Sequence, residues 1–117
     1  MNFEFSTARF KHLNWKFRLR SFLDGKSLLT KKEALSHHDC ELGHWLDNRG
    51  KAQYGHLPHM PELRQCHIQL HEQVHKIIEL RNKGLRVEAE GAFQELNQLS
   101  DQLILLLDKT EEEAPNL

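Results

Sequence analysis

The chain has 117 residues, enough to bury one hydrophobic core and too few for two, so we expect a single domain over residues 1–117. Hydrophobic residues make up 38% of it and charged residues 28%, a globular composition that excludes a disordered or fibrous chain. The formal net charge is -1, and Lys and Arg are interleaved with Asp and Glu, which argues against a nucleic-acid partner.

The sequence contains no run that predicts a membrane segment or an export leader. Its longest aliphatic run, 103–107, is far shorter than the ~20 residues that cross a bilayer. Two cysteines beside nine histidines indicate metal coordination rather than a secreted disulfide framework. We therefore expect a cytoplasmic protein without a membrane partner.

The first half of the chain predicts two helices. Apolar residues at helical intervals predict the first over about residues 7–23, with a stripe formed by Phe10, Leu13, Phe17 and Leu23. A capping box of Thr30 and Glu33 predicts the start of a second helix, short and partly irregular, that ends near Gly50. The Gly and Pro residues of 50–61 predict a loop.

Two longer helices are predicted in the second half. Pro61 suits a helix first turn, and an apolar stripe runs from about Glu62 to a stop at Asn82-Lys83-Gly84. A further stripe follows Gly84 and ends near Leu107, before an acidic tail over 108–117. Four amphipathic helices with short connections predict an all-α, antiparallel four-helix bundle whose core spans about residues 8–107.

His67 and His71 form the first candidate metal-binding pair. They stand four residues apart in the third predicted helix, so both rings project from one face, about 5–6 Å apart at their Cβ atoms. That spacing lets both imidazoles reach one metal ion. In a chain with nine histidines the same spacing also arises by chance.

Cys40 and His12 each have two interpretations. In the first interpretation, Cys40 supplies a thiolate, a soft ligand that favours zinc over magnesium or calcium. In the second, Cys40 is a small hydrophobic residue buried in the core. His12 lies beside the apolar stripe of the first helix, where an inward histidine is a metal ligand or a hydrogen-bonded core residue. We interpret Trp15 and Trp45 as core packing.

Three motifs occur together in a fixed order: His-x-x-Trp at residues 12–15, Cys-x-Leu-Gly-x-Trp at 40–45 and His-x-x-x-His at 67–71. In this combination the chain resembles the chemoreceptor zinc-binding (CZB) domain family over about residues 8–107. The resemblance implies a four-helix bundle with a three-His, one-Cys zinc site. The implied ligands are His12, Cys40, His67 and His71.

The resemblance also implies a regulatory role in signalling. Members of this family serve as sensory modules of soluble chemoreceptors and some diguanylate cyclases, so we expect a zinc or oxidant sensor acting on such a partner. Four protein ligands leave no open zinc position, so we do not expect an enzyme. The alternative is a structural adaptor that zinc only staples together. A di-iron bundle would need Glu-x-x-His arrangements on paired helices, and the acids of the fourth predicted helix, Glu88, Glu90 and Glu95, lack the necessary His partners.

Residues outside the implied ligand set receive other roles. Cys66 precedes His67 and points about 100° away from it, so we predict a packed or surface thiol. We interpret four further histidines as ordinary exposed residues: His37, His38, His56 and His59. The number of apolar residues on the first and fourth predicted helices, together with the dimeric habit of the resembling family, predicts a homodimer. Its candidate surface is formed by the aromatic residues that a narrow core stripe does not require: Phe3, Phe5 and Phe22.

Overall fold

The computed structural model describes residues 3–26 and 41–114, which are almost entirely helical and contain no β-strand. In chain order the elements are α1 (Phe3–Leu23), α2 (Glu41–Trp45), a π-helical segment (Leu46–Gly50), α3 (Lys51–Tyr54), α4 (Met60–Asn82) and α5 (Arg86–Glu113). The prediction of an all-α fold is confirmed. Among these helices, none combines the length and the apolar character that crossing a membrane requires.

The bounds of α4 agree with the local signals in the sequence. Pro61 lies in its first turn, where the missing backbone N–H has no helical partner to lose. At the other end Gly84 adopts φ +76°, in the left-handed region that residues with a Cβ rarely occupy. The chain reverses there, and α5 begins two residues later at Arg86.

Helices α4 and α5 pack against each other in opposite directions. Near the turn, the Gln73 side chain donates to the carbonyl of Ala92 at 2.9 Å. Farther from it, Cys66 Sγ lies 3.6 Å from the carbonyl of Leu99. Both helices bury residues at intervals of three, four and seven, the spacing of a packed helix seam: Leu63, Leu70, Val74 and Ile77 in α4, and Leu96, Leu103 and Leu107 in α5.

Helix α1 lies along α5 and buries a different face from the one predicted. Its buried residues are Phe5, Ala8, His12, Trp15 and Leu19. The predicted stripe is largely in solvent, since Phe10 and Phe17 are each 70% exposed and Leu13 is 51% exposed. The inward face places Phe5, Trp15 and Leu19 in the hydrophobic core. Ion pairs with α5 flank this face: Arg9 binds Asp108 and Glu111, and Arg20 binds Glu90 at 2.8 Å.

The second helical region extends farther than predicted. Residues 27–40, which include the predicted capping box, lie outside the described residues. From Glu41 the chain is helical through Gly50 to Tyr54, so the predicted loop at 50–54 is wrong. Gly50 permits this because a Cβ there would lie 2.9 Å from the Trp45 carbonyl oxygen and 3.1 Å from the Trp45 ring. The backbone at the end of the π-helical segment thus packs directly against Trp45, the last residue of α2.

Two further predictions require correction. Phe5 is fully buried and cannot form a surface, and Phe22 is partly buried under the guanidinium of Arg81, 4.5 Å from its ring centre. The side chain of Phe3 lies outside the described part of the chain. Up to Glu113, the predicted acidic tail is the end of α5, where Thr110 is buried.

Candidate metal centre

Buried polar side chains gather at one level of the core. In the described residues, five polar side chains are 3% exposed or less: His12, His67, His71, Ser100 and Thr110. Thr110 is satisfied within its own helix, since its hydroxyl donates to the carbonyl of Leu106 at 2.7 Å. The other four are His12 in α1, His67 and His71 in α4, and Ser100 in α5. Contacts of His12 and Trp15 connect α1 to the other two helices.

Each of these polar residues occupies a position that an apolar residue would normally fill. His12 follows Ala8 by four residues and precedes Trp15 by three, and both of those neighbours are buried. Ser100 stands between the buried residues Leu96 and Leu103 with the same spacing. Burying an imidazole or hydroxyl destabilises a fold unless the group is bonded, so placing several together indicates a shared function.

The rings of the site form a continuous chain of contacts between α1 and α4. The His67 and His71 ring centres lie 4.8 Å apart with their planes at 81°. Trp15 lies beside His71, at 5.1 Å between ring centres, and is stacked against His12 at 6.1 Å. Trp15 is therefore core packing, as predicted, and also a wall of the site, a second role that the sequence analysis missed.

Burial keeps His12 uncharged at neutral pH. Desolvation, followed by the charges of Lys16 and His71, lowers the pKa of His12 to about 4. Its ordinary pKa is near 6.5, so in the folded chain His12 stays neutral through pH 7 and well below it. A neutral imidazole is the protonation state that binds a metal ion.

The structure describes three of the four predicted zinc ligands: His12, His67 and His71. His67 and His71 are in ring contact and Trp15 lies beside both His71 and His12, whereas Cys40 lies outside the described residues. In residues 3–26 and 41–114, no group of three or more His, Cys, Asp and Glu side chains is arranged to hold a metal ion. The donor chemistry nevertheless fits zinc, which binds neutral imidazoles and thiolates in closed sites.

The residues that we exclude from the ligand set differ in burial and in the contacts they make. Cys66 is buried, as one of the two predicted alternatives, and burial raises the pKa of its thiol to about 11, which keeps it protonated. His56 is exposed, as predicted. His59 is instead partly buried, and its Nδ1 lies 2.7 Å from a carboxylate oxygen of Glu113, so the prediction of an ordinary exposed residue is wrong.

The comparison with protein families returned one match. The model of the chemoreceptor zinc-binding domain, CZB, matches residues 12–78, which is more than half of the chain. This range includes all four predicted ligands and ends within α4, so α5 lies outside it. No curated protein and no solved structure matches the chain.

Proposed function

Because the chain belongs to the chemoreceptor zinc-binding domain family, we propose that it is a regulatory module with one zinc ion bound by His12, Cys40, His67 and His71. The observation that supports this most strongly is the burial of three imidazoles at 2–3% exposure, on two different helices, in contact through Trp15. Burying imidazoles costs desolvation free energy, and binding to a metal ion would offset that cost.

The position of α2 supports Cys40 as the fourth ligand. Cys40 directly precedes α2, whose Leu42 is buried and lines a small cavity together with Ala8 and Lys11 of α1. Lys11 is the neighbour of His12 in sequence. Ala8 lies one helical turn before His12 on the same buried face, so the start of α2 packs against α1 close to His12. We assign the thiolate of Cys40 as the donor that completes a zinc site of borderline-soft character.

The proposed donor set favours sensing over catalysis. Four protein ligands close the zinc coordination sphere and leave no position for a substrate or an activated water. One thiolate and three neutral imidazoles leave the site with a net charge of about +1, and the lone thiolate is the group that an oxidant attacks first. Loss of that donor releases the start of α2 from the histidines of α1 and α4.

The packing of the long helices argues against the alternative of a zinc staple. A continuous hydrophobic core connects α1, α4 and α5 on both sides of the histidine level, from Phe5 at one end to Ile77 at the other. Ion pairs of Arg9 and Arg20 with α5 add contacts that do not involve the metal. We infer an antiparallel four-helix bundle that stays folded without zinc and responds to it locally.

We propose that this module acts on a signalling protein. Family membership supports a signalling partner of the chemoreceptor or diguanylate cyclase type in the cytoplasm, and a homodimer as the working assembly. The exposed face of α1, defined by Phe10, Leu13 and Phe17, is the surface that we assign to the dimer. It replaces the surface predicted from Phe3, Phe5 and Phe22.

One equivalent of hypochlorous acid should release the zinc from the folded protein. The sulfur of Cys40 loses two electrons to chlorine, which leaves as chloride, and gains an oxygen from water to become sulfenic acid. We expect a chromogenic chelator to detect close to one zinc per chain, mass spectrometry to find one oxygen on Cys40, and circular dichroism to retain most of the helical signal.

The matched control is Cys66→Ser, which removes the buried thiol outside the site and should release zinc like the wild type. Zinc retained after oxidation of Cys40 would contradict the redox response. Loss of the entire helical signal when a chelator removes zinc would favour the structural staple instead.

A further inference from the structure

His12 has a buried partner on α5. Its Nε2 lies 2.8 Å from Oγ of Ser100, and the two side chains are 2% and 1% exposed. They are 88 positions apart in the sequence and stand on different helices, so the contact is made by the tertiary fold alone. A hydrogen bond of this length between two groups without access to bulk water restricts the orientation of the imidazole ring.

The hydrogen bond has a chemical consequence for metal binding. A neutral imidazole has one nitrogen with a proton and one with a free lone pair. If Nε2–H donates to the Ser100 hydroxyl oxygen, the lone pair is on Nδ1, and only that nitrogen can bind a metal ion. In metal sites, the partner of the second ring nitrogen determines both the tautomer and the orientation of a histidine ligand.

We propose that Ser100 is a positioning residue that selects the Nε2–H tautomer of His12 and directs Nδ1 to the zinc ion. This inference rests on the proposed zinc site and adds a component from α5, which lies outside the part of the chain that matches the family model. It also gives α5 a connection to the metal, since zinc held by His12 is coupled to α5 through one hydrogen bond.

The test compares wild-type protein with Ser100→Ala, using Thr110→Val as a matched control. Thr110 is a buried hydroxyl residue of the same helix whose hydrogen bond stays within α5. We expect Ser100→Ala to weaken zinc affinity about 10- to 100-fold, the usual effect of removing such a partner. Thr110→Val should bind zinc within about twofold of the wild type.

A long-range proton–nitrogen NMR spectrum reads the tautomer directly. In wild-type protein with zinc, we expect His12 to carry its proton on Nε2 and to bind the metal through Nδ1. In zinc-free Ser100→Ala, we expect a mixture of both tautomers, which a merely structural role of Ser100 would not produce. Binding of zinc through Nε2 of His12 in the wild type would overturn the proposal without any variant.

The outcomes separate this proposal from the zinc site itself. A wild-type chain that binds no zinc would contradict the proposed function. Tight binding by the wild type together with unchanged affinity and tautomer in Ser100→Ala would contradict the role of Ser100 alone.

Discussion

Replacing Cys40 with serine is expected to lower the zinc affinity of the chain by roughly 10²- to 10³-fold. Structural zinc sites bind with about 10–16 kcal/mol, so an equal share for one of four ligands is about 2.5–4 kcal/mol. A serine hydroxyl is neutral at pH 7 and replaces an anionic soft donor with a weak one. Competition titrations against a chelator of known affinity measure this change in the dissociation constant.

The chain contains its own control for that experiment, because Cys66 is a second cysteine in a protonated, buried position next to His67. Cys66→Ser removes the same functional group, and we expect its zinc affinity to remain within about threefold of the wild type. Equal loss in both variants would show general destabilisation, and loss in Cys66→Ser alone would transfer the ligand role to Cys66.

The second large effect is expected on assembly. In α1, Phe10 and Phe17 are each 70% exposed on the face that carries Leu13, and an aromatic side chain of that size contributes about 1.5–3 kcal/mol when fully buried. The double variant Phe10→Glu with Phe17→Glu should therefore raise the dimer dissociation constant at least about 100-fold. Sedimentation equilibrium would report the 13.8 kDa chain where the wild type gives twice that mass.

A matched pair of substitutions tests whether added charge alone causes the effect. Leu85 and Val87 are 41% and 81% exposed at the start of α5, on a different helix from the proposed dimer surface. Changing both to Glu adds the same charge at a helix N-terminus, where carboxylates are favourable. This control variant should remain dimeric. A mass of 13.8 kDa for the wild-type protein at micromolar concentration would exclude the homodimer.

Helix α4 could be predicted almost completely because all local signals agree there. Pro61 in the first turn, a single apolar stripe and Gly84 at the end each predict the same bounds, and no competing face exists. The order of the three motifs also led to the family, which the comparison confirms for residues 12–78. The identity of the zinc ligands stays a prediction.

Helix α1 shows where periodicity is insufficient. It has apolar residues on two faces, and both faces follow intervals of three and four residues. Both faces carry large hydrophobic side chains, such as Phe10 on the exposed face and Trp15 on the buried one. The buried face also includes the small Ala8 and the polar His12. Only tertiary contacts, such as the packing of Phe5 and Leu19 in the shared core, decide which face packs inward.

Two other features also depended on tertiary packing. Local sequence signals predict a helix end near Gly50, although the structure continues the helix through it because the backbone packs against Trp45. The apolar stripe of the fourth predicted helix gives no role to Ser100. A polar residue at a core position between Leu96 and Leu103 was the available signal.

The coordination of the metal is the central claim, and X-ray absorption at the zinc edge tests it most directly. For the zinc-loaded wild-type chain we predict three nitrogen neighbours at about 2.0–2.1 Å and one sulfur at about 2.3 Å, with one zinc per chain. Cys40→Ala should lose the sulfur signal and Cys66→Ala should keep it. A wild-type spectrum with no sulfur neighbour, or with two, would contradict the three-His, one-Cys site.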